Sequence, residues 1–339
     1  MSPRAERMSR VDTAWLRMDN DVNLMMIVGV WLLEPAITLE ALRTRIADKL
    51  LQVDRFRQKV VHDAAGAHWV EDEAFELERH VVPTVLAPRR GQGERAALQA
   101  LCGELAARPL DPGRPLWQIH LVERYEGGSA LVARIHHCIG DGLALIAVMS
   151  SITDGGADPP RRRAADIDGA HDPDDPHAGD WLAEAVIKPL TDITVKAIGM
   201  YGSGVARSID VLGQPDPAGR TVDAARAGVQ VLGDAAALAL LADDSPTSLK
   251  GRPSGRKCVA WSEPLPLDEV RSVAKGLGCS INDVLLASVA GALGAYLRAR
   301  GEDPEGCEIR AMVPVNLRPP EEAWKLGNRF GLAPLVLPI

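Results

Sequence analysis

The chain has 339 residues and a formal net charge of -8, with a pI near 5.6. At 46% hydrophobic and 25% charged residues it has a globular composition, with length for about two domains and for a core that needs no disulfide or metal staples. The acidic balance excludes a non-specific nucleic-acid binder, which needs surplus cations to displace counterions.

Cysteine usage and the chain start bound the setting. Cys102, Cys138, Cys258, Cys279 and Cys307 are scattered, form neither a disulfide framework nor a metal-ligand spacing, and fit a reducing compartment. The opening MSPRAERMSRVDTAWLRMD is polar and lacks the apolar core of a signal peptide. The longest apolar stretch, Leu24 to Leu33, is about half of the roughly twenty residues that span a bilayer. The expected location is the cytoplasm, with peripheral contact at the inner membrane surface or at lipid droplets left open.

Strands and helices alternate at first. Val22 to Leu33 is a continuous apolar run ended by Glu34-Pro35, the pattern of a strand buried on both faces. A helix follows, with Thr38 as N-cap and Leu39, Leu42, Ile46 and Leu50 on one face. Ala96 to Ala107 is a second amphipathic helix, with Leu98, Leu101 and Leu105 in register before Pro109. Strands over Trp117 to Tyr125 and Ala130 to Ile135, joined through Glu126-Gly127-Gly128-Ser129, read as a tight hairpin. A helix over Leu143 to Ile152 closes a first domain, expected over residues 1–154.

The pattern breaks at Gly155 to Asp180, rich in Pro, Asp, Arg and Gly, where a mobile loop is expected. His171, Asp172, Asp174, Asp175 and His177 fall in it, but nothing there fixes ligand geometry, and no metal site is expected. Two helical stretches follow, Trp181 to Leu212 and Val222 to Leu241. Their apolar stripes suit core, a bridge between domains or contact with a membrane. A basic linker, Lys250 to Lys257, ends this loop-and-linker section over residues 155–257. A new strand and helix pattern opens at Cys258, the start of a C-terminal domain over 258–339. Ser280 to Arg300 is the best helix, with Ser280 and Asp283 in capping-box spacing and Gly291 and Gly294 allowing close approach. Strands over Glu308 to Val313 and Leu332 to Leu337 follow.

One constellation could carry chemistry: His136-His137-Cys138-Ile139-Gly140-Asp141-Gly142, at the end of an apolar strand. Successive strand side chains point to opposite faces, so the histidines cannot both line one cavity. That disfavours a two-histidine metal site and a Cys138-His137 nucleophile pair alike. The arrangement suits one imidazole held in a cleft as base for a hydroxyl, with Gly140 and Gly142 turning the backbone and Asp141 steering a ring or holding the loop. The alternative is a pair of satisfied core histidines.

HHCIGDG resembles the HHxxxDG pattern of acyltransferases related in fold to chloramphenicol acetyltransferase, a group that includes peptide-synthetase condensation domains. Further segments are similar to one branch, the wax ester synthase/diacylglycerol acyltransferases: MSRVDTAWLRMD, DRFRQKV, RPLDPGRPLWQIHLVE with Pro115-Leu116-Trp117, INDVLLASVAGAL, MVPVNLR and GNRFG. They occur in family order along nearly the whole chain. The resemblance implies an α/β fold, a two-domain chloramphenicol-acetyltransferase-like architecture of mixed sheets flanked by helices. The family's later SNVPGP-like segment does not occur before the chain stops at Ile339. The second domain is therefore expected to be incomplete, its closing part truncated or held as a separate C-terminal polypeptide.

The resemblance also implies a reaction: transfer of a fatty acyl group from acyl-CoA to diacylglycerol or a long-chain alcohol, making triacylglycerol or wax ester. His137 would be the general base, with His136 and Asp141 structural or orienting, and no metal or other cofactor. Arg318 would pair with Asp141. Asn282 would donate to the oxyanion, though Asn282 and Asp283 are explained equally by a helix start. Pro115 to Trp117 reads as a strand start and core packing. Two other functions are open: a same-fold acyltransferase with a different acceptor, and a non-catalytic lipid-binding protein at a membrane or lipid-droplet surface.

Overall fold

The computed structural model describes residues 5–64, 66–153, 244–316, 326–328 and 330–339. The expected loop at 155–180, both helical stretches after it, the His171–His177 group and Arg318 lie outside the described residues. The described residues fall into two compact units. The first holds those up to residue 153, with Arg252–Glu263 and the described part of Leu317–Phe330; the second holds 244–251, Pro264–Asn316 and Gly331–Ile339.

The first unit is organised by the expected hairpin, β6 (Trp117–Tyr125) and β7 (Gly128–His136). Tyr125 pairs with Gly128, leaving Glu126 and Gly127 as a two-residue loop with φ of 46° and 86°. Positive φ at both positions gives the turn whose twist matches the strands it joins. β2 (Met26–Leu33) pairs antiparallel with β7, and β5 (Val81–Pro83) pairs parallel with β6, so the mixed sheet has the order β2-β7-β6-β5.

Helices cover both faces of this sheet. On one side Leu131, Ala133 and Ile135 of β7 and Trp117, Ile119 and Leu121 of β6 pack with Leu42 and Ile46 of α2 (Leu39–Asp48) and Leu145 and Val148 of α5 (Gly142–Ser150). On the other, Ala130, Val132, Val122 and Tyr125 meet Leu98, Cys102 and Leu105 of α4 (Glu94–Ala106). Each large side chain removed from water here is worth about 1.5–3 kcal/mol. Thr38 caps α2 as expected, its side chain accepting from the Ala41 N–H.

Two expectations are corrected in this unit. The first apolar run forms a strand only from Met26. Val22 sits in an exposed turn, where Asn20 Oδ1 accepts from the N–H groups of Val22 and Asn23. β2 also ends the sheet order and leaves Leu32 55% exposed, so it is not buried on both faces. The strand that is buried throughout is β7, disguised in the sequence by Ser129, Arg134 and His136. Arg134 is tolerated there because its guanidinium donates to Gln118 Oε1 and the carbonyls of Arg108 and Pro109. The strand expected at Cys258 is absent. Val259 and Trp261 instead pack against the α4 side of the sheet, and Gly103 admits this segment: a Cβ there would lie 2.6 Å from the Lys257 carbonyl oxygen.

Several elements were not anticipated. Helix α1 (Arg10–Met18) is capped by Ser9, whose hydroxyl accepts from the Asp12 N–H. A three-stranded antiparallel sheet has the order β1-β4-β3, from β1 (Glu6–Arg7), β3 (Gln58–Asp63) and β4 (Gly66–Glu71). A short helix α3 (Leu77–His80) leads into β5.

The second unit carries α6 (Leu267–Leu277), α7 (Ile281–Ala299), β8 (Glu308–Asn316) and β9 (Phe330–Pro338) from Gly331 on. The expected capping box is present at the start of α7. Gly294 allows close approach, since a Cβ would lie 3.1 Å from Ile339 Cγ2, whereas Gly291 faces open space. Among the described residues no single helix is long and apolar enough to cross a membrane; α6 and α7 together meet that test but bend by 96°.

Candidate active site

β7 ends at His136, and the chain turns through 137–141 into α5. The backbone sends the two histidines to different neighbours. The His136 N–H donates to Leu116 O on the β6 side, and the His137 N–H to Met25 O on the β2 side. From Gly128 to Asp141, His137 is the one residue that is not buried.

His136 has the surroundings of a core histidine. It is 5% exposed, and its Nδ1 accepts from the Cys138 N–H at 3.1 Å. The ring proton therefore sits on Nε2, 3.8 Å from Asp19 Oδ2. Burial pushes its pKa down, with the Asp19 carboxylate acting the other way. Cys138 is fully buried, and loss of solvation with Asp12 nearby pushes its thiol far up, so it is no thiolate nucleophile.

His137 lies in a polar and aromatic setting. Its ring stacks on Trp15, with centroids 3.9 Å apart and planes 13° from parallel. Its Nδ1 is 3.0 Å from Oδ1 of Asn328. The Asn328 amide nitrogen donates to Asp12 Oδ1 at 2.8 Å and to the His137 carbonyl oxygen at 2.7 Å, and its backbone N–H donates to Asp12 Oδ1 at 3.1 Å. Asp12 is 5% exposed although it lies on a surface helix.

The segment bearing Asn328 runs beside the turn. Gly140 and Gly327 form a parallel bridge, with Gly327 N–H donating to Ile139 O at 3.0 Å and Asp141 N–H to Gly327 O at 3.3 Å. Gly140 permits this approach, because a Cβ would meet Leu326 Cδ2 at 3.2 Å. The left-handed backbone belongs to Gly327, at φ 109°, and to neither Gly140 nor Gly142. Gly142 opens α5 with nothing within 4 Å, and no steric reason for glycine is found there. Asp141 Oδ1 accepts from the Ala144 N–H, capping α5 and so holding the loop.

The remaining predicted residues belong to other elements. Asn282 and Asp283 belong to the first turn of α7 in the second unit, where the Asp283 carboxylate accepts from the Ser280 N–H and hydroxyl. Pro115-Leu116-Trp117 is a core segment, as expected: Trp117 is 1% exposed and its Nε1–H donates to Phe56 O. No group of three or more His, Cys, Asp or Glu among the described residues is placed to hold a metal ion. Sequence reasoning gave no role to Asp12, Trp15 or Asn328. One signal was available in α1: Asp12 shares a face with Trp15 and Leu16, whereas Val11 and Met18 are 48% and 45% exposed, an inverted polarity.

Comparison with solved structures gives the fold class. The first condensation domain of the calcium-dependent antibiotic synthetase matches with a TM-score of 0.54 at 14% identity, covering 99% of this chain and 70% of that one. A starter condensation domain of rhizomide synthetase solved with C8-CoA matches at 0.52 and 16% identity, covering 99% and 67%. A wax ester synthase/diacylglycerol acyltransferase from Marinobacter aquaeolei matches at 0.51 and 19% identity, covering 89% and 61%. The two-layer-flanked mixed sheet with HHxxxDG at its strand end is thus a condensation-domain-like fold.

The family model for the wax ester synthase/diacylglycerol acyltransferase catalytic domain matches residues 8–285, and the chain belongs to that family. A protein of Mycobacterium tuberculosis named diacylglycerol O-acyltransferase is 27% identical over 309 residues, covering 90% of this chain. Another from the same organism, also named diacylglycerol O-acyltransferase, is 33% identical over 261 residues, covering 74%. The chain spans 60% and 45% of the lengths of these two relatives.

Proposed function

We propose that the protein is an O-acyltransferase that moves a fatty acyl group from acyl-CoA to diacylglycerol or a long-chain alcohol, with His137 as general base. The observation that carries this reading is the lone emergence of His137 from a buried strand and turn, its ring held on one side by Trp15 and on its edge by Asn328. Relatives named for diacylglycerol acylation support the acceptor class, and a neighbour of the same fold solved with C8-CoA supports the donor.

The chemistry follows from the ring. Nε2 takes the proton of the acceptor hydroxyl while its oxygen attacks the thioester carbonyl, forming the C–O bond and a tetrahedral oxyanion. That charge needs a positioned donor, worth a few kcal/mol. Collapse breaks the C–S bond, and the imidazolium returns its proton to the CoA thiolate. The Cys138 thiol has no part in this sequence, so no acyl-enzyme forms. Asp141 contributes by fixing the turn between β7 and α5, and His136 by holding the Cys138 N–H.

Labelled acyl-CoA offered separately with diacylglycerol and with hexadecanol tests the reading. Labelled triacylglycerol, wax ester or both are expected. Absence of acyl transfer to either lipid alcohol contradicts it.

A further inference from the structure

We propose that Asn328, anchored by Asp12, is the positioning residue that holds His137 in its Nδ1–H tautomer, so that Nε2 is the basic atom. The inference rests on the reading of His137 as base and adds how the ring is set. It joins three separate stretches, around Asp12, His137 and Asn328, into one hydrogen-bonded unit within the first structural unit.

The amide orientation is forced by its neighbours. Asn328 Nδ2 faces two pure acceptors, the Asp12 carboxylate at 2.8 Å and the His137 carbonyl at 2.7 Å, and only an amide nitrogen can satisfy both. The amide oxygen must then face the ring, and at 3.0 Å from Nδ1 it can only accept. A neutral imidazole that donates through Nδ1 carries its lone pair on Nε2. The Asp12 carboxylate is bonded to Asn328. It acts through the amide, taking both the Nδ2–H and the backbone N–H of Asn328 on one oxygen. After proton transfer the cation on His137 keeps the amide oxygen of Asn328 at Nδ1, and that amide is bonded in turn to the Asp12 carboxylate. Trp15 stacked at 3.9 Å limits ring rotation and so preserves the Nδ1 bond.

The neighbouring glycine serves the same arrangement. Gly327 at φ 109° adopts a backbone that side chains resist, and so turns the chain from its bridge with Gly140 to set Asn328 between Asp12 and His137.

The test is a ring-nitrogen correlation NMR spectrum of protein labelled with 15N-histidine, with His137 assigned from the His137→Gln spectrum. The wild type is expected to show a protonated Nδ1 and an unprotonated Nε2 at His137. In Asn328→Ala the ring is expected to shift toward the Nε2–H form, with kcat reduced about 10- to 100-fold and KM little changed, part of the 100- to 10,000-fold that a placed base supplies. Asp12→Asn is expected to give a smaller shift in the same direction. If wild-type His137 carries its proton on Nε2, or if both variants leave Nδ1 protonated, the proposal is overturned, whatever the activity. If Asn328→Ala does not fold, the wild-type and Asp12→Asn spectra decide. Undiminished turnover by His137→Ala would instead sink the base reading, while leaving the tautomer measurement standing.

Discussion

Asn328 Oδ1 lies 3.0 Å from Nδ1 of His137, across 191 residues of sequence. The contact ties the strand-end histidine to a short segment laid beside its turn, and through Asp12 to the first helix. The candidate base is therefore positioned by three stretches of chain rather than by the HHCIGDG motif alone.

Gly327 should be sensitive for that reason. Replacing it with alanine forces a side chain into φ 109°, a conformation costing on the order of 1–3 kcal/mol, or displaces Asn328 to relieve it. Gly327→Ala is expected to lower the unfolding midpoint and cut acyl transfer at least several-fold. Gly142→Ala, in open space, should be far milder. Equal effects of the two variants in thermal unfolding and turnover would contradict the assignment.

Thiol chemistry offers a second check. Burial holds the Cys102 thiol up at about 11 and pushes Cys138 higher, whereas Cys258 is exposed. Iodoacetamide followed by peptide mass mapping should modify Cys258 in the native protein and reach Cys102 and Cys138 only after unfolding in urea. Rapid native modification of Cys138 would contradict its burial within the turn.

Stability should fall on mild acidification. Burial lowers the pKa of His80 and His136, and lowers that of His120 to about 4. Above pH 6.5 these rings are neutral whether the chain is folded or unfolded, and they cost nothing. Below it the unfolded chain takes up protons that the folded chain refuses, so stability declines as pH falls; for His120 the decline runs from 6.5 toward 4, by up to about 1.4 kcal/mol per pH unit, and His80 and His136 add to it in the same direction. Urea unfolding at pH 7.5 and 5 should show the loss, and His120→Gln should make it shallower. An unchanged slope in that variant would rule out His120 as a contributor.

The core predicts its own hot spot. Trp117 is 1% exposed, donates to Phe56 O, and packs edge-on to Phe56 at 5.6 Å and against His80 at 4.6 Å. Trp117→Ala is expected to cost about 3–5 kcal/mol of unfolding free energy. A loss under 1 kcal/mol in urea titration would mean that Trp117 is not packed as described.

Local signals explain what the sequence discloses. The α2 helix, the β6–β7 hairpin and the start of α7 were legible because Thr38, Glu126-Gly127 and Ser280 with Asp283 are short-range instructions. β7 was legible as a strand but not as the fully buried one, since its Arg134 is made tolerable by carbonyls of residues 108 and 109 and the Gln118 side chain. The apolar run before Pro35 misled because it makes an end strand, not the centre of the sheet. His137 was found through its motif. Its partners were not, because an Asp12–Asn328 contact spans 316 residues and no local pattern encodes it.

His137 as the base for acyl transfer is open to a single kinetic test. The direct measurement is acceptor-dependent release of CoA from acyl-CoA by wild type and His137→Ala at saturating lipid alcohol, with unfolding curves confirming that both are folded. A fall of about 100- to 10,000-fold is expected in the variant. Release by His137→Ala within a few-fold of wild type would contradict it.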